Sequence, residues 1–168
     1  MRISVFGSCP TYVNDAQGLA QRLIYGELGR QGFEVRTVGK TDYPTVAPLR
    51  EVAMLARHCS GGVILGFSQF ETVGGIAKEG TPVEKKESGR LRFPTPWNHL
   101  EAGILFSLGL PLLVFRDNGV SGGIFDAGAA EIFVHELPKP NAAGRSVVKE
   151  LIQKWGSEVR ELYYRGPL

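Results

Sequence analysis

The stretch Pro96-Trp97-Asn98-His99-Leu100-Glu101-Ala102-Gly103-Ile104-Leu105-Phe106-Ser107-Leu108-Gly109-Leu110-Pro111 runs directly into the apolar run Leu112-Leu113-Val114-Phe115. Thr95 has the side chain of a helix cap, Pro96 suits the first helical position, and Gly109 with Pro111 closes the helix. A helix handed at once to a continuous apolar strand is the repeating unit of a parallel α/β sheet. The helix carries one acid, Glu101. At about 3.6 residues per turn, Trp97 and Leu105 lie one turn to either side of it, with Leu100, Ile104 and Leu108 filling the rest of that face. The spacing therefore predicts a carboxylate within an apolar stripe. Burying an unpaired carboxylate costs several kcal/mol. Glu101 must then pair with a cation such as Arg57 or Arg116, interact with the positive end of the helix dipole, or open into a pocket where a ligand meets it.

Working outward, strand and helix patterns alternate along the chain. Ile3 to Phe6 reads as a buried strand, followed by the small-residue loop Gly7-Ser8-Cys9-Pro10, a natural ligand floor. Asn14 caps a helix with Leu19, Ala20, Leu23, Ile24 and Leu28 at helical spacing, ended by Gly32. Phe33 to Val38 is the second strand, Pro48 to His58 the second helix, and Gly62 to Phe67 the third strand. Residues 68–95 show no sustained period and read as a long surface excursion, with Val73 to Arg92 mobile or ligand-ordered. After the strand Leu112 to Phe115 and the turn Arg116-Asp117-Asn118-Gly119, Glu131 to His135 reads as an edge strand and Ala142 to Tyr164 as the last helix. This alternation predicts one domain over residues 1–168, a flavodoxin-like, doubly wound parallel five-stranded sheet in the order 2-1-3-4-5.

Composition narrows the function classes. Nineteen basic against seventeen acidic residues give a net charge of +2, too balanced for a nonspecific nucleic-acid surface. The apolar stretches fall far short of the roughly 20 residues that span a bilayer, so no membrane partner is expected. No secretory signal precedes the first strand, and Cys9 and Cys59 have no Cys-x-x-Cys spacing, which suits a reducing cytoplasm. His58, His99 and His135 are scattered without metal-ligand spacing, so no metal is expected. No glycine-rich dinucleotide fingerprint follows the first strand and no Walker loop occurs. Ser8 lacks a nucleophile-elbow frame, and Cys9 reads as a small structural cysteine before it reads as a nucleophile.

In an open α/β sheet, ligands bind at the carboxyl edge of the strands. Glu101, about one turn into its helix, falls near that edge. Phe6, Phe67 and Trp97 lie close to strand ends where a base could stack, although core packing explains Phe6 equally well. Gly7 and Ser8 belong to the first loop, as does Tyr12; Tyr43 belongs to the second. Asp117 sits at the turn after the fourth parallel strand.

The first strand Ile3-Ser4-Val5-Phe6 with its small-residue loop, the run Glu27-Leu28-Gly29-Arg30-Gln31-Gly32-Phe33-Glu34-Val35, and above all Trp97-Asn98-His99-Leu100-Glu101 resemble the TIR-like and nucleoside 2-deoxyribosyltransferase-like superfamily. In catalytic TIR domains a Trp is followed, four positions on, by the Glu that acts at the ribosyl centre when nicotinamide leaves NAD. The deoxyribosyltransferases are similar in Glu101-Ala102-Gly103 followed by Gly109-Leu110-Pro111. The resemblance covers most of residues 2–135, and its specific part is little more than one helix. It implies cleavage or transfer at an N-glycosidic bond, a nucleotide or nucleoside as small-molecule partner, NAD as substrate with no resident cofactor, and a homo-oligomer. Glu101 would be the catalytic carboxylate, with Phe6, Gly7, Ser8, Tyr12, Tyr43, Phe67, Trp97 and Asp117 contacting substrate. A neutral leaving base would also need a proton donor, for which Asp117 and Asp126 are the nearest candidates by loop position. From a different class stands a nucleotide-sensing or assembly module whose pocket binds without chemistry.

Overall fold

The computed structural model of the chain describes residues 2–42, 47–126, 128 and 132–166. In chain order its elements are β1 (Ile3–Ser8), α1 (Asp15–Arg30), β2 (Phe33–Arg36), α2 (Pro48–Ala56), β3 (Gly62–Gly66), β4 (Phe70–Ala77), β5 (Lys85–Phe93), α3 (Pro96–Ser107), β6 (Leu112–Arg116), β7 (Val134–Glu136) and α4 (Ala142–Arg165). Five strands form one parallel sheet in the order β2-β1-β3-β6-β7, and β4 with β5 forms a separate antiparallel pair. The hairpin takes two numbers, so the parallel strands alone follow the expected order, an arrangement consistent with a flavodoxin-like α/β fold.

The apolar runs are continuous because both faces of the sheet are covered. Alternate side chains go to opposite layers. Val5, Val63, Leu65, Leu113 and Phe115 pack under α1 and α4 against Ile24, Leu28, Val148, Ile152, Trp155 and Val159. Phe6, Ile64 and Val114 pack under α2 and α3 against Val52, Leu55, Ala56, Ala102 and Leu105. One close approach fixes a residue type: a Cβ on Gly66, at the end of β3, would lie 2.2 Å from Cε1 of Phe125. Among the described residues no helix is long and apolar enough to cross a membrane.

Three expectations change. Residues 68–95 are not an irregular excursion: Phe70 pairs with Phe93 and Glu71 with Arg92 across the β4–β5 ladder, with a register shift between Thr72 and Gly74. Cross-strand pairing holds this hairpin where burial does not, with Glu71 bridging Arg92 at 2.8 Å and Arg90 at 3.5 Å. The buried side of α3 is also not the predicted stripe. Asn98, Ala102 and Leu105 face inward, while Trp97, Leu100, Phe106 and Leu108 are exposed, because the helix lays its smallest side chain against the sheet. Last, the edge strand begins at Val134, and the predicted start at Glu131 lies outside the described residues.

Candidate functional site

At the carboxyl edge, between β1, the end of β2, α2 and α3, lies a cavity of about 230 Å³ lined by Cys9, Pro10, Thr11, Thr37, Val38, Pro48, Val52, Thr95, Trp97, Asn98 and Glu101. Glu101 and Trp97 are thus brought together, as the sequence spacing predicts. Two larger depressions exist, of about 420 and 510 Å³. The first lies between α1 and the start of α4, and the second is lined by the end of α3, the start of β6 and residues of α4, among them Phe106, Leu112 and Trp155. The larger of the two holds His135, which burial and Lys154 keep towards its neutral form, but only the smaller cavity holds a carboxyl pushed well above its ordinary range, Glu101.

The start of α3 sets the carboxylate in place. Thr95 caps the helix, its Oγ1 accepting from the Asn98 backbone N–H at 3.2 Å, and Pro96 occupies the first turn. This cap places Asn98 on the inner face and Glu101 most of a turn further on, at the cavity wall. Asn98 is 1% exposed, and its Nδ2 donates to Ser8 Oγ at 2.8 Å and towards the Leu65 carbonyl at 3.4 Å. Ser8 is fully buried at the end of β1.

Burial pushes the Glu101 carboxyl up from 4.5 to about 7, and the nearby Ser8 hydroxyl offsets this only in part. Neither suggested arginine pairs with it. Arg116 bridges Glu136 at 3.3 Å and donates to the Phe125 carbonyl at 2.7 Å, and Arg57 is exposed. The neighbouring Cys9 thiol is raised to about 11, chiefly by desolvation, so it is a poor nucleophile. Its Sγ accepts from Gln21 Nε2 at 3.0 Å, a packing role.

The other sequence-derived candidates fall into three groups. Gly7 and Ser8 are buried within β1 and are not among the residues lining the cavity: a Cβ on Gly7 would meet Val35 Cγ1 at 2.5 Å and Tyr25 Oη at 2.8 Å, so β1 can press against β2 and α1 only with glycine there. Phe6 and Phe67 are fully buried in the two core layers and do not line the cavity. Tyr12 is 84% exposed, its carbonyl accepting from Gln69. Asp117 Oδ2 accepts from Gln17 Nε2 at 2.7 Å and from the Ser68 N–H at 2.9 Å, tying α1 to the start of the hairpin segment outside the cavity. Asp126 accepts from the Gly122 N–H, a turn contact. Tyr43 lies outside the described residues.

Sequence reasoning missed Asn98, Thr37, Val38 and Pro48. Asn98 had a legible signal, since positions 98, 102 and 105 share one helix face and only an amide with partners is tolerated there. Among the described residues no cluster of His, Cys, Asp and Glu could hold a metal ion. Comparison with models of known protein families and with curated proteins finds no match to the chain.

Proposed function

We propose that this cavity breaks an N-glycosidic bond, with Glu101 as the carboxylate that meets the ribosyl carbon. The observation that carries the reading is a half-buried acid with no cationic partner among the described residues, in a cavity at the carboxyl edge beside an accessible indole. Such a carboxylate is costly to ionise, and positive charge arriving next to it recovers that cost. Departure of a base from C1′ creates oxocarbenium-like charge, which a carboxylate stabilises or captures before water or another acceptor attacks the same carbon. Trp97, 44% exposed, offers a face for the base.

The arrangement favours a cationic leaving group. Asp117 and Asp126, the candidate proton donors, are both engaged elsewhere. A neutral purine or pyrimidine needs protonation to leave, whereas nicotinamide leaves NAD as a neutral molecule without it. NAD or a related nucleotide is therefore the leading substrate, with nucleoside deoxyribosyl transfer second. The resemblance of Trp97 to Glu101 to catalytic TIR domains supports the same order and adds a homo-oligomer, which sedimentation would test. Incubating the protein with NAD and with a panel of deoxynucleosides, followed by chromatography of released base, tests the proposal. Nicotinamide release that falls roughly a hundredfold in Glu101→Gln supports it, the size expected when a key electrostatic stabiliser is lost. Saturable binding with no base released from any compound would instead identify a sensing module.

A further inference from the structure

The groove between α1 and α4 gathers like charge that nothing around it offsets. Its volume, about 420 Å³, falls inside the roughly 300–1,000 Å³ range of small-molecule sites. Arg22 and Arg30 line it from α1, Arg145 and Lys149 from α4, and Glu27 is the carboxylate among them. Glu27 is already committed: Arg30 bridges it at 2.9 Å, and Gln31 Nε2 donates to it at 2.9 Å. Among the described residues no carboxylate lies within ion-pair reach of Arg22, Arg145 or Lys149. Four cations against one carboxylate leave the groove three positive charges, more than the +2 of the whole chain. The two helices supply no reason for this, since a pair built for stability alone would set acids opposite bases. Moreover, α4 carries no acid in its first turn, and Arg145 closes that turn, near the end where the helix dipole disfavours a cation.

We propose that this groove binds a phosphate-bearing small molecule, a mono- or diphosphate ester whose anionic group meets Arg22, Arg145 and Lys149. A guanidinium fork matches two phosphate oxygens at once, and a lysine adds a point charge. Two or three negative charges bring the groove close to neutrality, which a single carboxylate does not. The three cations are exposed, so they reach a ligand without disturbing the core. Leu19 and Leu23 line the α1 side and give an apolar surface for the organic part of the ester. Among the described residues no aromatic side chain lines the groove, so it lacks the stacking platforms on which single-stranded nucleic acids are held. The site is separate from the Glu101 cavity, which lies beside α2 and α3, and it does not rest on the glycosidase reading.

The test is calorimetric titration of the protein near physiological salt with inorganic pyrophosphate, and with phenyl phosphate as the ester probe. Both should bind saturably at one site. Arg22→Ala, Arg145→Ala and Lys149→Ala should each weaken binding roughly 10- to 100-fold, the range for one lost charged hydrogen bond. Lys86→Ala removes the same charge from an exposed position on the hairpin and should leave the affinity unchanged, as should Glu101→Gln. In low salt without probe, where repulsion is least screened, Arg145→Ala should melt no lower than the unmodified protein. A lower melting temperature would mean that Arg145 holds α4 to α1, and would overturn the proposal. So would the absence of saturable binding, equal weakening by Lys86→Ala, or a changed affinity in Glu101→Gln, which would place the probe in the other cavity. Displacement of pyrophosphate by a short oligonucleotide at equal phosphate concentration would also overturn it, in favour of a nucleic-acid surface.

Discussion

Replacing Glu101 with Gln should stabilise the protein, and only above the pH at which free carboxyls ionise. The unfolded chain releases this proton near 4.5, while the fold holds it to about 7. Between those values folding takes up a proton, so the stability contributed by the protonated group is complete below pH 4.5 and is lost as pH rises towards 7. Ionising the group inside the fold costs about 3 kcal/mol more than in water. Glutamine preserves the shape without that cost. Thermal unfolding of the two proteins should therefore coincide as pH falls towards 4.5 and diverge at alkaline pH, the variant melting about 6–12 °C higher at this chain length. Equal melting temperatures at both ends would mean that Glu101 ionises as freely as in water, refuting the desolvated site. A variant destabilised by about 3 kcal/mol or more at alkaline pH would mean that the charge was paired with a buried cation.

Other expected outcomes follow from particular contacts. Trp97→Ala should weaken substrate binding by roughly 5- to 100-fold, the range for one lost aromatic–base stack, while its melting temperature changes little because the indole is half exposed; unchanged KM would remove Trp97 from the site. Gly66→Ala should lower stability by about 1–3 kcal/mol in denaturant unfolding, since its Cβ would overlap the Phe125 ring. In hydrogen exchange without ligand, amides of Val73 to Arg92 should exchange far faster than those of β1 and β3, because the β4–β5 pair has exposed faces and the central strands are buried. Uniform protection across both sheets would contradict this.

The parallel sheet was legible because its strands are buried on both faces and its helices carry their own caps. Asn14 and Thr95 both cap as their side chains predict, and the Ile64 and Val114 runs pair as expected. The hairpin was hidden for the opposite reason. Its strands are exposed, so no alternation of apolar and polar side chains was needed, and the glycines at 74 and 75 and the charge run at 84–87 imitate a loop. Glu101 was found from the right helix by a partly wrong face: the stripe through Leu100 and Leu108 is exposed, and the acid sits beside the buried face through Asn98 and Ala102. Phe6 and Phe67 illustrate a general ambiguity, since an aromatic at a strand end packs into a layer unless its alternation points it out of the sheet. Asn98 finds its partner in Ser8, ninety residues earlier, a pairing that no local pattern encodes.

The most direct test of the central claim is the pH dependence of kcat/KM for base release, measured from roughly pH 5 to 9, because that quantity reports the ionisation of groups in the free enzyme. If Glu101 acts as a carboxylate, kcat/KM rises with pH and levels off above about 7, and the residual rate of Glu101→Gln shows no such limb. A rate that is flat through neutrality in the unmodified protein, or a limb that persists in Glu101→Gln, would contradict the account.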